Sequence, residues 1–214
     1  MPNPDVPAKQ FENLLPPQPT GFTQMLIGAN GLDPVDFDGW IFDPGMLFGS
    51  PNKWWGDRGQ RDFPHEGIDI GLYQNRARQV LLLGPQTRIP VMYTGVVRAL
   101  FQDYLGQAVI VEHPSVAGAP KTFLSVYAHT RPLAGLQVGT TLKRGDILAT
   151  IADTRRSKAK ILPHLHFSLG IPATNLNYEQ FVWNIMRDPE QVVLLNPLAR
   201  IDWSYRLQPA PRNF

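Results

Sequence analysis

Two histidines two residues apart, His164 and His166, lie in an apolar, strand-like run from Ile161 to Leu169. In a strand such residues share a face, with backbones roughly 7 Å apart. The pair suits one metal ligand and one neighbour that acts on whatever the metal holds. Alone, it equally fits the solvated face of an edge strand. What makes it informative lies upstream, where residues 61–72 read RDFPHEGIDIGL.

His65 and Asp69 stand four apart in that stretch. Pro64, Gly67 and the β-branched Ile68 and Ile70 disfavour a helix. In a straight strand four residues span roughly 13 Å, too far for both side chains to reach one ion. A shared site therefore requires a bend, which Gly67 permits. His65-Glu66 is not the start of an HExxH zinc motif, because position 69 is Asp, so Glu66 is not assigned as a general base.

Together His65, Asp69 and His166 make a His₂Asp set with a fourth position open, the ligand count of a catalytic zinc site. Two neutral imidazoles and one carboxylate leave a net positive charge that lowers the pKa of a bound water. His164 and His129 remain, and either is placed to polarise the water or stabilise an oxyanion. His113, before Pro114, reads as a solvated turn residue with no role. A cupin-type HxH would need a Glu three or four residues on, where Leu169 and Gly170 stand.

The elements that must carry these residues read as mostly β. The chain has 214 residues, 43% of them hydrophobic, enough for one well-buried core. Its 21 Pro and 18 Gly break it into short segments. Apolar or β-branched runs recur at Gln79–Leu83, Ile89–Tyr93, Gly95–Phe101, Gln107–Glu112 and Lys121–His129, separated by turns. This spacing favours an antiparallel sheet or barrel-like sandwich over βαβ units. Gly145-Asp146 predicts a turn before a strand at Ile147–Ile151. Asn177–Arg187 predicts a short helix ending before Asp188-Pro189.

Residues 1 to about 20 form a Pro-rich arm, with Phe11, Leu14 and Leu15 able to pin it. Residues 21–60 read as a loop-rich approach with short strands. Of the adjacent Trp54 and Trp55, either one packs and the other faces a groove, or both are partly buried. The expected division is 1–40 as arm and approach, 41–175 as the chemical domain and 176–214 as an extension packed on it. A net charge of +2 without a basic run argues against nucleic acid. Absence of Cys excludes disulfides and thiolate metal sites. No apolar run is long enough to span a membrane. The N-terminus lacks the basic start and apolar core of a signal peptide.

Three ordered blocks resemble the M23 (lysostaphin-like, LytM) zinc endopeptidases, which cut peptide crosslinks in peptidoglycan. His65-Glu66-Gly67-Ile68-Asp69 is similar to the family's HxGxD block, Tyr127-Ala128-His129 to its YxH block, and Pro163-His164-Leu165-His166-Phe167 to its PHLHF block. Phe48-Gly49, Gly95-Val96-Val97 and Gly145-Asp146-Ile147-Leu148 resemble the connecting parts. The likeness covers about residues 45–172. It implies an all-β fold, an antiparallel barrel-sandwich hybrid with short peripheral helices. It implies that His65, Asp69 and His166 bind Zn²⁺, with His129 and His164 as the catalytic pair. It also implies peptidoglycan peptides as partner and a periplasmic or extracellular location. Some members of the family have lost the ligands and only bind or regulate. A latent or non-catalytic cell-wall module with a retained zinc site is therefore the alternative expectation. Ala128 replaces a common Gly, and the segment Tyr73–Gln86 is longer than the family's usual connection.

Overall fold

The computed structural model describes residues 19–115, 122–155 and 161–211. Almost all of the Pro-rich arm, including Phe11, Leu14 and Leu15, lies outside these residues.

Thirteen strands among the described residues form two sheets. The smaller has the order β13 (Tyr205–Leu207), β1 (Phe37–Phe42), β3 (Leu72–Asn75), β4 (Val80–Leu82). Its β1–β13 pair is parallel and the others antiparallel. The longer connection at Tyr73–Gln86 is thus largely the β3–β4 hairpin.

The larger sheet has nine strands. Its main path is β12 (Val192–Leu195), β11 (Leu165–Pro172), β8 (Phe123–Pro132), β7 (Gln107–His113), β6 (Gly95–Gln102) and β9 (Thr141–Leu142). Off that path, β2 (Ile68–Ile70) pairs with β11, and β10 (Ile147–Ile151) pairs with β8 and β5 (Arg88–Pro90). All these pairs are antiparallel. The expected all-β, antiparallel fold with few helices is what forms, though no sheet closes into a barrel.

The central strands are apolar on both faces because both are covered. Phe123 and Tyr127 of β8, with Val109 and Val111 of β7, enter the main core. Leu124, Val126 and Ala128, with Ala108 and Ile110, enter a second cluster on the opposite face. The period of two sorts these residues without exception. The main core is completed by Trp40 and Phe42 of the smaller sheet and by helix α1 (Phe22–Ala29). The second cluster is closed by Phe181, Met186 and Val192, on and around helix α2 (Trp183–Arg187).

Helix α1 is a departure from the expected loop-rich approach. Phe22, Thr23, Leu26 and Ile27 are buried, a helical spacing, but Gly21 at the N-cap offers no side-chain hydrogen bond. The Phe22 N–H is instead met by Thr20 Oγ1 at 3.1 Å and Asp202 Oδ2 at 3.0 Å.

His113 also departs from expectation. It is the last residue of β7, opposite Phe123 of β8, and only 1% exposed. Alternation puts its ring in the core beside Phe123, at 4.6 Å between centroids. Its Nδ1–H donates to Thr94 O (3.0 Å), and Nε2 meets Ser125 Oγ (2.7 Å). Burial pushes the imidazole down to about 4, so it is a neutral core residue.

Candidate active site

Asp69 and His166 meet because of strand register. In the β2–β11 pair, Asp69 lies directly opposite His166. Ile68 and Ile70 point into the main core, so Asp69 points away from it. Leu165, Phe167 and Leu169 also enter that core, which leaves His166 on the same outer face as Asp69.

His65 precedes β2. Gly49 N donates to His65 O (2.8 Å), and His65 N donates to Ser50 O (3.1 Å). That short ladder hangs His65 over the sheet. The expected bend falls at Glu66 and Gly67, and the glycine there needs no positive φ. A Cβ there would stand 2.2 Å from Phe167 O and 2.5 Å from Ser168 Oγ. The requirement is close approach to β11.

The three side chains converge. Asp69 Oδ1 is 3.1 Å from His65 Nε2 and 3.0 Å from His166 Nδ1, and these two nitrogens are 3.0 Å apart. All three residues are at least 96% buried. The outer side of each is tied down. His65 Nδ1–H donates to Leu47 O at 3.1 Å, which leaves an unshared pair on Nε2 facing inward. His166 Nε2 meets Ser168 Oγ at 2.9 Å. Trp54 Nε1–H donates to Asp69 Oδ2 at 2.6 Å, and Arg61 Nη2 is 3.8 Å from the same oxygen. An inward lone pair facing a carboxylate oxygen is repulsive unless a cation lies between them. Ligands about 2 Å from a shared tetrahedral ion would stand about 3.3 Å apart, close to the triangle found here. The group can therefore hold a metal ion.

Burial alone would raise the Asp69 carboxyl. The surrounding imidazoles of His65, His164 and His166 outweigh it and hold the group well below its usual range.

His164 stands just before β11, which begins at Leu165, later than the run from Ile161 had implied. Its Nδ1–H donates to Leu162 O (2.6 Å), and its Nε2 is 3.7 Å from Asp69 Oδ1. Burial holds this imidazole down at about 4, so it stays neutral with Nε2 unprotonated.

His129 closes the group. Its ring centroid is 4.9 Å from that of His164 and 5.6 Å from that of His166. It adopts φ 60°, the left-handed region, which costs a non-glycine residue roughly 1–2 kcal/mol. Its Nδ1 meets Asp103 Oδ2 at 3.1 Å, and its backbone N–H donates to the same oxygen at 2.6 Å. Burial would raise the Asp103 carboxyl, but the hydrogen bonds and charge of His129 bring it down to about 2. Sequence reasoning missed Asp103. In Asp103-Tyr104-Leu105-Gly106 it reads as an ordinary turn residue.

The five expected residues thus line one open groove of about 210 Å³. Its walls hold Trp55, Arg61, Glu66, Tyr104, Trp183 and Arg187. Of the two readings of the tryptophan pair, the divided one holds: Trp54 is 3% exposed, and Trp55 faces the groove beneath the Arg61 guanidinium, 4.5 Å from its ring. Glu66, set aside as a base, pairs with Arg187 of α2. Trp183 stands edge-on to His166 at 5.2 Å.

A family model described as Peptidase family M23 matches residues 64–178, more than half of the chain. The chain belongs to peptidase family M23. The match takes in all five residues, while Trp183 and Arg187 of this M23 peptidase lie beyond it. Similar solved structures include the catalytic domain of the prophage-encoded M23 protein EnpA from Enterococcus faecalis. It is 21% identical, with 68% of this chain and 97% of that one covered and a TM-score of 0.38. Lysostaphin is 21% identical, with 60% and 44% covered and a TM-score of 0.38. Csd3 from Helicobacter pylori is 19% identical, with 79% and 36% covered and a TM-score of 0.42. The chain spans less than half the length of the lysostaphin and Csd3 chains. No curated protein matches it. No helix among the described residues is long and apolar enough to cross a membrane.

Proposed function

We propose that this M23 peptidase is a zinc-dependent endopeptidase that hydrolyses peptide bonds in peptidoglycan stem or crossbridge peptides, in the periplasm or outside the cell. The observation that carries the reading is the convergence of His65 Nε2, Asp69 Oδ1 and His166 Nδ1, all within 4.8 Å of one another, on the floor of an open groove. These three residues would hold the zinc ion. Two imidazoles and one carboxylate suit zinc, and the open side of the trio faces the groove. Zinc supplies the polarisation that makes water nucleophilic near neutral pH and draws charge from a peptide carbonyl.

The chain's own residues do the rest. His129 and His164 each turn Nε2 away from an outer hydrogen bond made by Nδ1. His164, neutral and buried, accepts a hydrogen bond and orients the attacking water. His129 has the Asp103 carboxylate behind it, so it is suited to take the water's proton at Nε2 and pass it to the leaving amine. Trp55, Tyr104 and Trp183 give the groove flat walls against which an extended peptide can lie. The peptidoglycan substrate and the location rest on the resemblance of the three blocks to the cell-wall members of the family.

The test is metal analysis of the purified protein, then incubation with purified peptidoglycan with and without a chelator. About one zinc per chain is expected, with new amine ends that vanish with the chelator. His129→Ala should abolish cleavage while zinc stays bound. Zinc without cleavage by the native chain would point to a latent or regulatory module. Absence of zinc would overturn the site.

A further inference from the structure

Alternation along β8 would send His129 into the main core, two residues after Tyr127. It does not go there, because β8 carries an extra residue. Gln107 pairs with Thr130 and Val109 with Tyr127, so Ala128 and His129 together stand opposite the single residue Ala108. This is a β-bulge, and bulges re-aim side chains next to active sites. The position takes φ 60°, which ordinarily favours glycine. Something must hold a histidine there.

Asp103, on the β6–β7 turn, does so. Its side chain is fully buried. Oδ1 accepts from Leu105 N at 2.7 Å and Gly106 N at 2.6 Å, which fixes the carboxylate in its own turn. Oδ2 is given over to His129, accepting from its backbone N–H at 2.6 Å and facing its ring Nδ1 at 3.1 Å. A carboxylate serving only as a turn cap would need only the first oxygen. The second grips both ends of His129 and requires the ring proton to sit on Nδ1.

We propose that Asp103 is a positioning residue for the hydrolytic reaction. It holds His129 in the bulge and in the Nδ1–H tautomer, so that Nε2 faces the groove above His65, Asp69 and His166. The proposal rests on the reading of His129 as the proton carrier, and its test is separable from that reading.

In the zinc-loaded native chain, long-range ¹H–¹⁵N correlation spectra should show His129 as one tautomer, protonated on Nδ1. Finding it protonated on Nε2 overturns the proposal with no variant needed. Asp103→Asn keeps an acceptor for the turn and should leave zinc content unchanged, while His129 becomes a tautomer mixture. On a defined peptidoglycan peptide this variant should lose about 100-fold or more in kcat, with KM within about threefold. Its thermal midpoint should stay within a few degrees of the native chain's, because the effect passes through the tautomer of that ring. The same kcat loss with His129 still a single tautomer protonated on Nδ1 would make Asp103 merely structural and overturn the proposal. Should the native chain bind zinc and cut nothing, the endopeptidase reading fails, and the tautomer still decides the role of Asp103.

Discussion

At the residue scale the site is defined as much by what stands behind the converging atoms as by those atoms. Trp54 gives its only donor to Asp69 Oδ2 and packs edge-on against His164, at 5.0 Å between ring centroids. Trp54→Phe keeps an aromatic ring and removes the N–H. Losing such an outer partner typically weakens metal binding about 10- to 100-fold. Competition against a chelating indicator should show that loss for zinc, and an unchanged affinity would refute the role given to Trp54. His113 makes a second case away from the groove. Its pKa is about 4 in the fold, against an ordinary 6.5. Between those values the unfolded chain binds a proton that the folded chain refuses. The contribution is therefore complete above the ordinary pKa and is lost as pH falls toward 4, by up to about 3 kcal/mol. His164 is shifted the same way, so His113→Gln should flatten the acid limb without abolishing it. Urea unfolding at pH 7 and pH 4.5 should find the gap between native and variant stability shrinking by about 2–3 kcal/mol. A constant gap would mean that His113 takes its proton inside the fold.

At the element scale, what could be read in advance follows from how far apart the partners lie. Strands β6, β7, β8 and β10 were legible because alternation and turn residues are local signals. Asp69 and His166 were legible because their spacing placed them on outward faces, although only the register of β2 against β11 makes them neighbours. His113 was misread because Pro114 suggested a turn, while its ring partners Thr94 and Ser125 lie on other segments. Asp103 was hidden because its local bonds are those of any turn aspartate. Helix α1 was hidden for a like reason. Its cap comes from Asp202, which receives Thr20 N–H (3.0 Å), the Thr20 hydroxyl (2.6 Å) and Phe22 N–H (3.0 Å) across some 180 residues. Asp202→Ala should therefore cost about 1–2 kcal/mol and loosen the first turn of α1. Thermal unfolding and amide exchange across residues 22–29 would register both. Protection of those amides equal to that of the native chain would show that the cap is dispensable.

At the scale of the whole molecule, the segment after the family match is built into the structure at three places. Strand β12 extends the larger sheet beyond β11, and β13 pairs with β1 in the smaller sheet. Phe181 and Met186 ahead of β12, with Val192 at its start, roof the second apolar cluster over Ala108, Ile110, Leu124 and Val126. The same segment sends Trp183 and Arg187 to the groove wall, where Arg187 neutralises the buried Glu66. Burial alone would raise that carboxyl, but His166 and Arg187 hold it low, so removing the arginine would leave a buried carboxylate without its ion-pair partner. Deleting residues 176–214 should therefore uncover an apolar sheet face, free the edge of β11 for pairing with other chains and disturb the site at once. The expected product is aggregated or unfolded, whereas the full chain should unfold in a single thermal transition. Size-exclusion chromatography with calorimetry distinguishes the outcomes. A soluble, monomeric truncated chain melting within a few degrees of the full one would instead show that residues 1–175 fold without the C-terminal segment and reduce that segment to an accessory.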